Sequence, residues 1–283
     1  MHFYEDESTL NKHRMTQEQL DKYQESMNKA LIDKCFFMNY VSDYDVLVDF
    51  GCADGSLVRA AQKFDEGNKT LFIGYDISPQ MINGAESKTA GIRNILWTTD
   101  WDEVASIVAK KKNSLLVMNS VLHEVYSYSS PEEYLHFWTQ SFKGGFNWIS
   151  IRDMMMRKKH FDHPIPEDEL DAIKNDYIEK SDHGEEKLLT FEDHHGEIKT
   201  EGQLIHLFMK DNYWDNWERE VAEDYLGVTI DEFFQKINTH AKKAYEVDFW
   251  EPFTLIYLKN AISKAYGYDI HVPTHIKMIL KAK

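Results

Sequence analysis

The stretch VLVDFGCADGS, from Val46 to Ser56, limits what this chain can fold into more than any other. Val46, Leu47, Val48 and Phe50 are apolar and partly β-branched, the make-up of a buried strand. Gly51 and Gly55 interrupt it, and an amphipathic helix runs from Leu57 to Gln62. A strand, a glycine turn and a helix N-terminus together bring backbone N–H groups to a place where a ligand can meet them. The unit then recurs. TLFIGYDIS (Thr70–Ser78) reads as a second strand ending in Asp76, with Pro79 opening a helix. NILWTTDW (Asn94–Trp101) reads as a third strand and DEVASIVAKK as a third helix. SLLVMNSVLHEV (Ser114–Val125) reads as a fourth strand running into a turn. SPEEYLHFWTQSF (Ser130–Phe142) carries a helix start, with a Ser cap, Pro131 in the first position and two glutamates. FNWISIRD (Phe146–Asp153) closes the series as a fifth strand. Strands alternating with helices at this spacing imply a parallel sheet covered on both faces and joined by right-handed crossovers.

After Asp153 the alternation stops. Residues 154–245 read as mostly helical, acidic and His-rich, with loop signals at Gly184, Gly196 and Gly202. Strand character returns at YEVDFWEPFT (Tyr245–Thr254), followed by the helix LIYLKNAISKAYG closed by Gly267, and THIKMILKA (Thr274–Ala282) is a last alternating strand. Upstream, Thr16 to Val41 holds helix formers with apolar residues at helical spacing. The expected fold is α/β: a doubly wound, mostly parallel seven-stranded sheet with a helical insertion after the fifth strand. A helical cap spans 1–45, the ligand-binding core 46–153, the insertion 154–245 and the last two strands 246–283. An insertion of roughly ninety residues far exceeds an ordinary connection, and such segments tend to cover the carboxyl ends of strands. It is expected to act as a lid.

Composition removes several functions. With 42% hydrophobic residues the chain has a full core, while a formal charge of −16 argues against a surface built to neutralise phosphates. Arg157, Lys158 and Lys159 form one basic run, read as a solvated loop. Cys35 and Cys52 sit in apolar segments, which argues against a disulfide framework and fits a reducing, cytoplasmic setting. The first fourteen residues hold no apolar core of a signal peptide, and no apolar run approaches a membrane span.

The glycine turn lacks both the G-x-G-x-x-G of dinucleotide folds and the G-x-x-x-x-G-K-[ST] of a P-loop. It resembles instead the first motif of class I S-adenosylmethionine-dependent methyltransferases, an acidic residue followed by G-x-G-x-G. Asp49, Gly51, Ala53 and Gly55 fill those places, with Cys52 inside the turn and Ala53 replacing the middle glycine. The resemblance implies S-adenosylmethionine as cofactor. It places Asp76, 25 positions beyond Gly51, on both ribose hydroxyls, with Ile77 and Met81 against the adenine. It sets Asp100 near the adenine amino group, Trp101 at the edge of that pocket, and Asn119 at the methionine part and the transferring methyl. Read without the resemblance, Asp76 and Asp100 are also suitable helix N-caps.

Methyl transfer is an in-line displacement at a carbon on a sulfonium, so the protein mainly positions the acceptor and takes its proton. His123, just after the fourth strand, is the candidate base, which predicts a rate rising through about pH 6 to 7. Glu124 would orient it or bind a cationic acceptor; the competing role for His123 is a structural hydrogen bond. The Asn/Asp-Pro-Pro-aromatic run of base-amine methylation is absent, since the chain has NSVL, and neither cysteine has the context for pyrimidine C5 chemistry. The metal-dependent RNA motif E-x-x-H-x-x-H is matched only as far as EYLHFWT (Glu133–Thr139). A small-molecule or peptide acceptor is therefore expected, with nucleic acid disfavoured. Trp214, Trp217, Glu218, Glu220 and Tyr225 suit either a cap that meets a cation or the insertion's own core. His160, His163, His183, His194, His195 and His206 show no recognised metal spacing, and no metal is expected. Three other functions stay open: a cofactor-binding regulatory or partner subunit without catalysis, an RNA-directed methyltransferase, and an aminopropyltransferase, whose extra acidic motif is not evident.

Overall fold

The computed structural model describes residues 31–283 except 66, 68 and 241–244. The helix expected from Thr16 therefore lies outside the described residues up to position 30. Seven strands form one sheet: β1 (Val46–Phe50), β2 (Leu71–Tyr75), β3 (Ile95–Thr98), β4 (Ser114–Asn119), β5 (Trp148–Met154), β6 (Tyr245–Phe253) and β7 (His275–Ala282). Their order is β3-β2-β1-β4-β5-β7-β6. β7 runs antiparallel to both of its neighbours and every other pairing is parallel.

Alternation sorts the strand residues onto two faces. Val46, Val48, Phe50, Ile73, Tyr75, Leu116, Met118 and Ile151 pack beneath helices Trp101–Val108, Pro131–Lys143 and Ile230–His240. Leu47, Phe72, Leu115, Val117 and Ile279 pack against helix Ser56–Gln62 and a 3-10 turn at Phe36–Asn39. Burial on both faces is why β1 and β4 read as continuous apolar runs. Helix Pro131–Lys143 begins with the expected cap, a reciprocal box between Ser130 and Glu133. One boundary differs. β4 ends at Asn119, Ser120 turns the chain at φ 55°, and Leu122–Tyr128 is a helix where the apolar pattern implied continuing strand and turn.

The chain that leaves the carboxyl end of β5 continues as helices up to Ile230–His240. The insertion's own core joins Leu170, Tyr177, Phe191, Leu204, Phe208, Trp217 and Tyr225. Ile262 and Tyr266, from helix Ile256–Tyr266, belong to that same core, whereas Ile230, Phe233 and Ile237 belong to the sheet. Packing thus divides the chain differently from the boundaries 154–245 and 246–283: the last insertion helix covers the sheet, and the helix before β7 completes the insertion. The segment lies at the carboxyl edge, tied to helix Leu122–Tyr128. There the Asp224 N–H donates to Ser127 Oγ at 2.7 Å and the Tyr128 hydroxyl donates to the Arg219 carbonyl at 3.2 Å. No helix among the described residues is long and apolar enough to cross a membrane.

Candidate functional site

Strand order reverses between β1 and β4, which opens a crevice at their carboxyl ends. The glycine turn forms one wall. Gly51, Ala53 and Gly55 all have positive φ, at 71°, 46° and 72°. Gly51 and Gly55 are required there for a second reason. A Cβ on Gly51 would sit 2.8 Å from Val121 Cγ2, and one on Gly55 would sit 2.2 Å from the Trp97 ring. The space these glycines leave on their Cβ side is filled by the protein's own side chains, Val121 and Trp97.

The turn's amides follow the same logic. Gly51 and Cys52 N–H both donate to the Tyr75 carbonyl, at 2.9 and 3.0 Å, and Gly55 N–H donates to the Cys52 carbonyl at 2.8 Å. Ala53 N–H donates to Asp76 Oδ2 at 2.9 Å. The amides bind the turn to β2 and aim Asp76 instead of standing free for a ligand. The Cys52 side chain is buried, packs near Gly74, and burial pushes its thiol pKa far up, so it offers neither ligand surface nor thiolate.

Asp76 is half-buried at the end of β2, and its second oxygen, Oδ1, accepts from Ser78 N–H at 2.9 Å. Each oxygen keeps a lone pair. Burial raises the carboxyl to about pKa 6 against the pull of those two N–H bonds. Ile77 and Met81 are half-buried beside it. Asp100 is exposed and caps helix Trp101–Val108, with Oδ1 accepting from Asp102 N–H and Glu103 N–H. Trp101 requires correction. It is 3% exposed and its indole packs edge-on against Phe50 and Tyr75, so it is a core residue with no face left for a pocket.

Across the crevice, Asp49 is buried at the end of β1, and burial pushes its carboxyl up to about pKa 7. Asn119 is buried at the end of β4, its Nδ2 donating to the Lys34 carbonyl at 3.2 Å. Four residues further, His123 lies in the first turn of its helix and bonds through Nδ1 to Asp153 Oδ1 at 2.8 Å. Asp153 is fully buried and rigidly held: its Oδ2 accepts from Val121 and Leu122 N–H, and Oδ1 also accepts from Met154 N–H. Burial alone would lower the His123 pKa. Asp153, Glu223 and Glu124 outweigh it and raise the imidazole to about 9. His123 is therefore cationic at neutral pH and is not itself a base that titrates at 6 to 7.

The other side of His123 faces the insertion. Glu223 Oε2 lies 3.8 Å from Nε2, and Glu223 is buried, with burial and the neighbouring Glu124 raising its carboxyl to about pKa 7. Arg219 bridges Glu223 at 2.8 Å and Glu124 at 3.4 Å. Asp153, Glu223 and Arg219 were not legible as site residues. Asp153 carried one hint, an acid ending an otherwise apolar strand; Glu223 and Arg219 reach the site only through the packing of the insertion.

Of the histidine-rich set, His195, His206 and Asp224 come together, with ligand atoms within 4.8 Å of one another. Both Nε2 atoms are engaged: His206 Nε2 accepts the Tyr225 N–H at 3.2 Å, and His195 Nε2 donates to the Val221 carbonyl at 2.6 Å.

No protein-family model matches the chain, and no curated protein matches it. Solved structures do. The plantazolicin methyltransferase BamL, solved with a triazolic desmethylPZN analog and SAH, superposes with a TM-score of 0.51 at 12% identity, over 97% of this chain and 93% of that one. A geranyl diphosphate C-methyltransferase from Streptomyces coelicolor A3(2) gives 0.48 at 7% identity, over 89% and 77%. The methyltransferase domain of a bacterial Hen1 gives 0.43 at 11% identity, over 96% and 99%. The first of these, together with the strand order and the antiparallel β7, establishes the architecture. The chain has the class I S-adenosylmethionine-dependent methyltransferase fold.

Proposed function

We propose that the chain is an S-adenosylmethionine-dependent methyltransferase acting on a small-molecule or peptide acceptor. The observation that carries this reading is the coupling of the glycine turn to Asp76, whose two oxygens are fixed by Ala53 and Ser78 N–H while one lone pair on each stays available. Two vicinal hydroxyls match that pair. The SAH bound to the plantazolicin methyltransferase supports the same cofactor here. In this reading Ile77 and Met81 flank the adenine, Asp100 Oδ2 meets its amino group, and Asp49 and Asn119 lie toward the amino-acid end.

Glu223 takes the acceptor's proton in place of His123. A buried carboxylate titrating near neutrality suits a base, and the His123 imidazolium, held by Asp153, orients it. Glu124, Glu220 and Glu223 around Arg219 make an acidic wall that favours an amine over a phosphate.

Methyl-labelled S-adenosylmethionine incubated with the protein and fractionated cell extract tests the proposal, alongside calorimetry with S-adenosylhomocysteine. Label entering metabolites or protein supports it. Label confined to RNA favours the RNA-directed reading. Tight binding of the homocysteine product with no label in any fraction favours a non-catalytic subunit, and no binding overturns the cofactor assignment.

A further inference from the structure

Among the described residues no lysine or arginine is buried more deeply than Lys210, 0% exposed at the end of helix Glu201–Lys210. A buried ammonium needs acceptors to replace water. Lys210 Nζ finds two main-chain carbonyls, donating to Glu220 at 2.5 Å and to Glu223 at 2.6 Å. Both belong to the C-terminal end of helix Trp217–Ala222 and the residue that caps it, where a helix offers carbonyls to outside donors. The same ammonium stands 3.6 Å from the centre of the Tyr225 ring. Burial lowers its pKa, while Glu223, Glu220 and Asp224 hold it up against Arg219. One side chain thus clamps the segment Glu220–Tyr225 at three points. Tyr225 adds two more ties, its hydroxyl to Glu220 and its N–H to His206 Nε2.

That segment carries what the insertion brings to His123. The Glu223 main chain faces Lys210, while its carboxylate lies 3.8 Å from His123 Nε2. The Tyr225 ring stands edge-on to the imidazole at 5.4 Å. Lys187 is a useful contrast. It is also buried in the insertion, but its ammonium bonds the Asp211 carbonyl and carboxylate, at 2.6 and 3.0 Å, and Ser181. None of those partners meets His123.

We propose that Lys210 is a positioning residue, holding Glu220–Tyr225 so that the Glu223 carboxylate is set against His123. Its effect on turnover rests on the proposed function, in which Glu223 takes the acceptor's proton; the positioning itself does not.

His123 reports where Glu223 is, because that carboxylate is one of the charges that raise the imidazole to about 9. Asp153 and Glu124, the other acids that raise it, belong to β5 and to its own helix. Lys210→Met acts in opposite directions under the two accounts. Loss of a positive charge with the segment still in place leaves the His123 midpoint alone or raises it. Release of Glu223 from His123 lowers it. Ring-nitrogen NMR of the intact protein is expected to show a fall of about one pH unit in Lys210→Met. Lys187→Met, a control that loosens the insertion elsewhere, should leave the midpoint unchanged, with thermal melts establishing that both variants fold. A midpoint unchanged or raised in Lys210→Met, or lowered equally by Lys187→Met, overturns the proposal. If Lys210→Met does not fold, hydrogen exchange in the wild type decides. Glu223 and Tyr225 amides exchanging as slowly as those of helix Glu201–Lys210 uphold the clamp, and exchange at the rate of an open loop overturns it.

Transfer of label from methyl-labelled S-adenosylmethionine into cell extract supplies the second readout. Lys210→Met should lower its rate by about tenfold or more at unchanged affinity for S-adenosylhomocysteine. If the wild type transfers no label, the proposed function fails, and the His123 midpoint still decides the positioning.

Discussion

Replacing Asp153 by Asn probes the buried pair that sets the character of the site. Asparagine keeps the shape but removes the charge 2.8 Å from His123 Nδ1, and it turns an acceptor into an N–H donor facing backbone donors. In the intact protein the imidazole is raised from 6.5 to about 9, although burial pulls it the other way. At about 1.4 kcal/mol per pKa unit, that shift corresponds to roughly 3 kcal/mol of stability. The sign follows from the raised value: the contribution is complete below pH 6.5, fades through the interval up to 9, and is absent above it. The depressed pKa of Asp153 is the same interaction seen from the acid, lost as pH falls through its folded value, and is not added again. Asp153→Asn is therefore expected to lose about 3 kcal/mol near pH 6, more where the Val121 and Leu122 N–H groups go unpaired, with the gap to wild type narrowing toward pH 9. Urea melts at three pH values measure the gap, and ring-nitrogen NMR follows the His123 titration. A wild-type midpoint near the ordinary 6.5, or a gap that does not change with pH, would refute the reasoning.

Asp76→Ala removes the acceptor of two charge-assisted hydrogen bonds and should weaken S-adenosylhomocysteine by about a hundredfold or more; unchanged calorimetric affinity in a folded variant removes the ribose assignment. Gly51→Val drives a Cβ to 2.8 Å from Val121 at φ 71° and should destabilise the fold by roughly 2 kcal/mol or more while abolishing cofactor binding. A melting temperature and affinity equal to wild type would contradict it. Glu223→Gln should lower turnover by about a hundredfold or more at constant cofactor affinity. It should also erase a rise in rate through about pH 7, the value to which burial and Glu124 bring this carboxyl. A retained rate and pH profile assigns the proton to another group.

What the sequence by itself determined is the part governed by local chemistry. Alternating strands and helices, each with its own caps, specified the doubly wound sheet; the apolar runs of β1 and β4 stated in advance that both faces would be covered. The Ser130–Pro131 cap and the Gly267 stop were readable because each acts over three or four residues. The position of Asp76 was legible because it directly follows the apolar run of β2. What only the tertiary structure decided involves partners distant in sequence. Trp101 follows a strand end like Asp100, yet Phe50 and Tyr75 draw it into the core. Gly55 is glycine partly because Trp97, 42 positions away, occupies its side-chain space. His123 has a familiar pKa in isolation, but Asp153 from β5 and Glu223 from the insertion move it upward by their charge in a dry pocket, where Coulomb interactions are strong. No local pattern encodes that meeting, because it exists only once the insertion has folded back over the carboxyl ends of the strands.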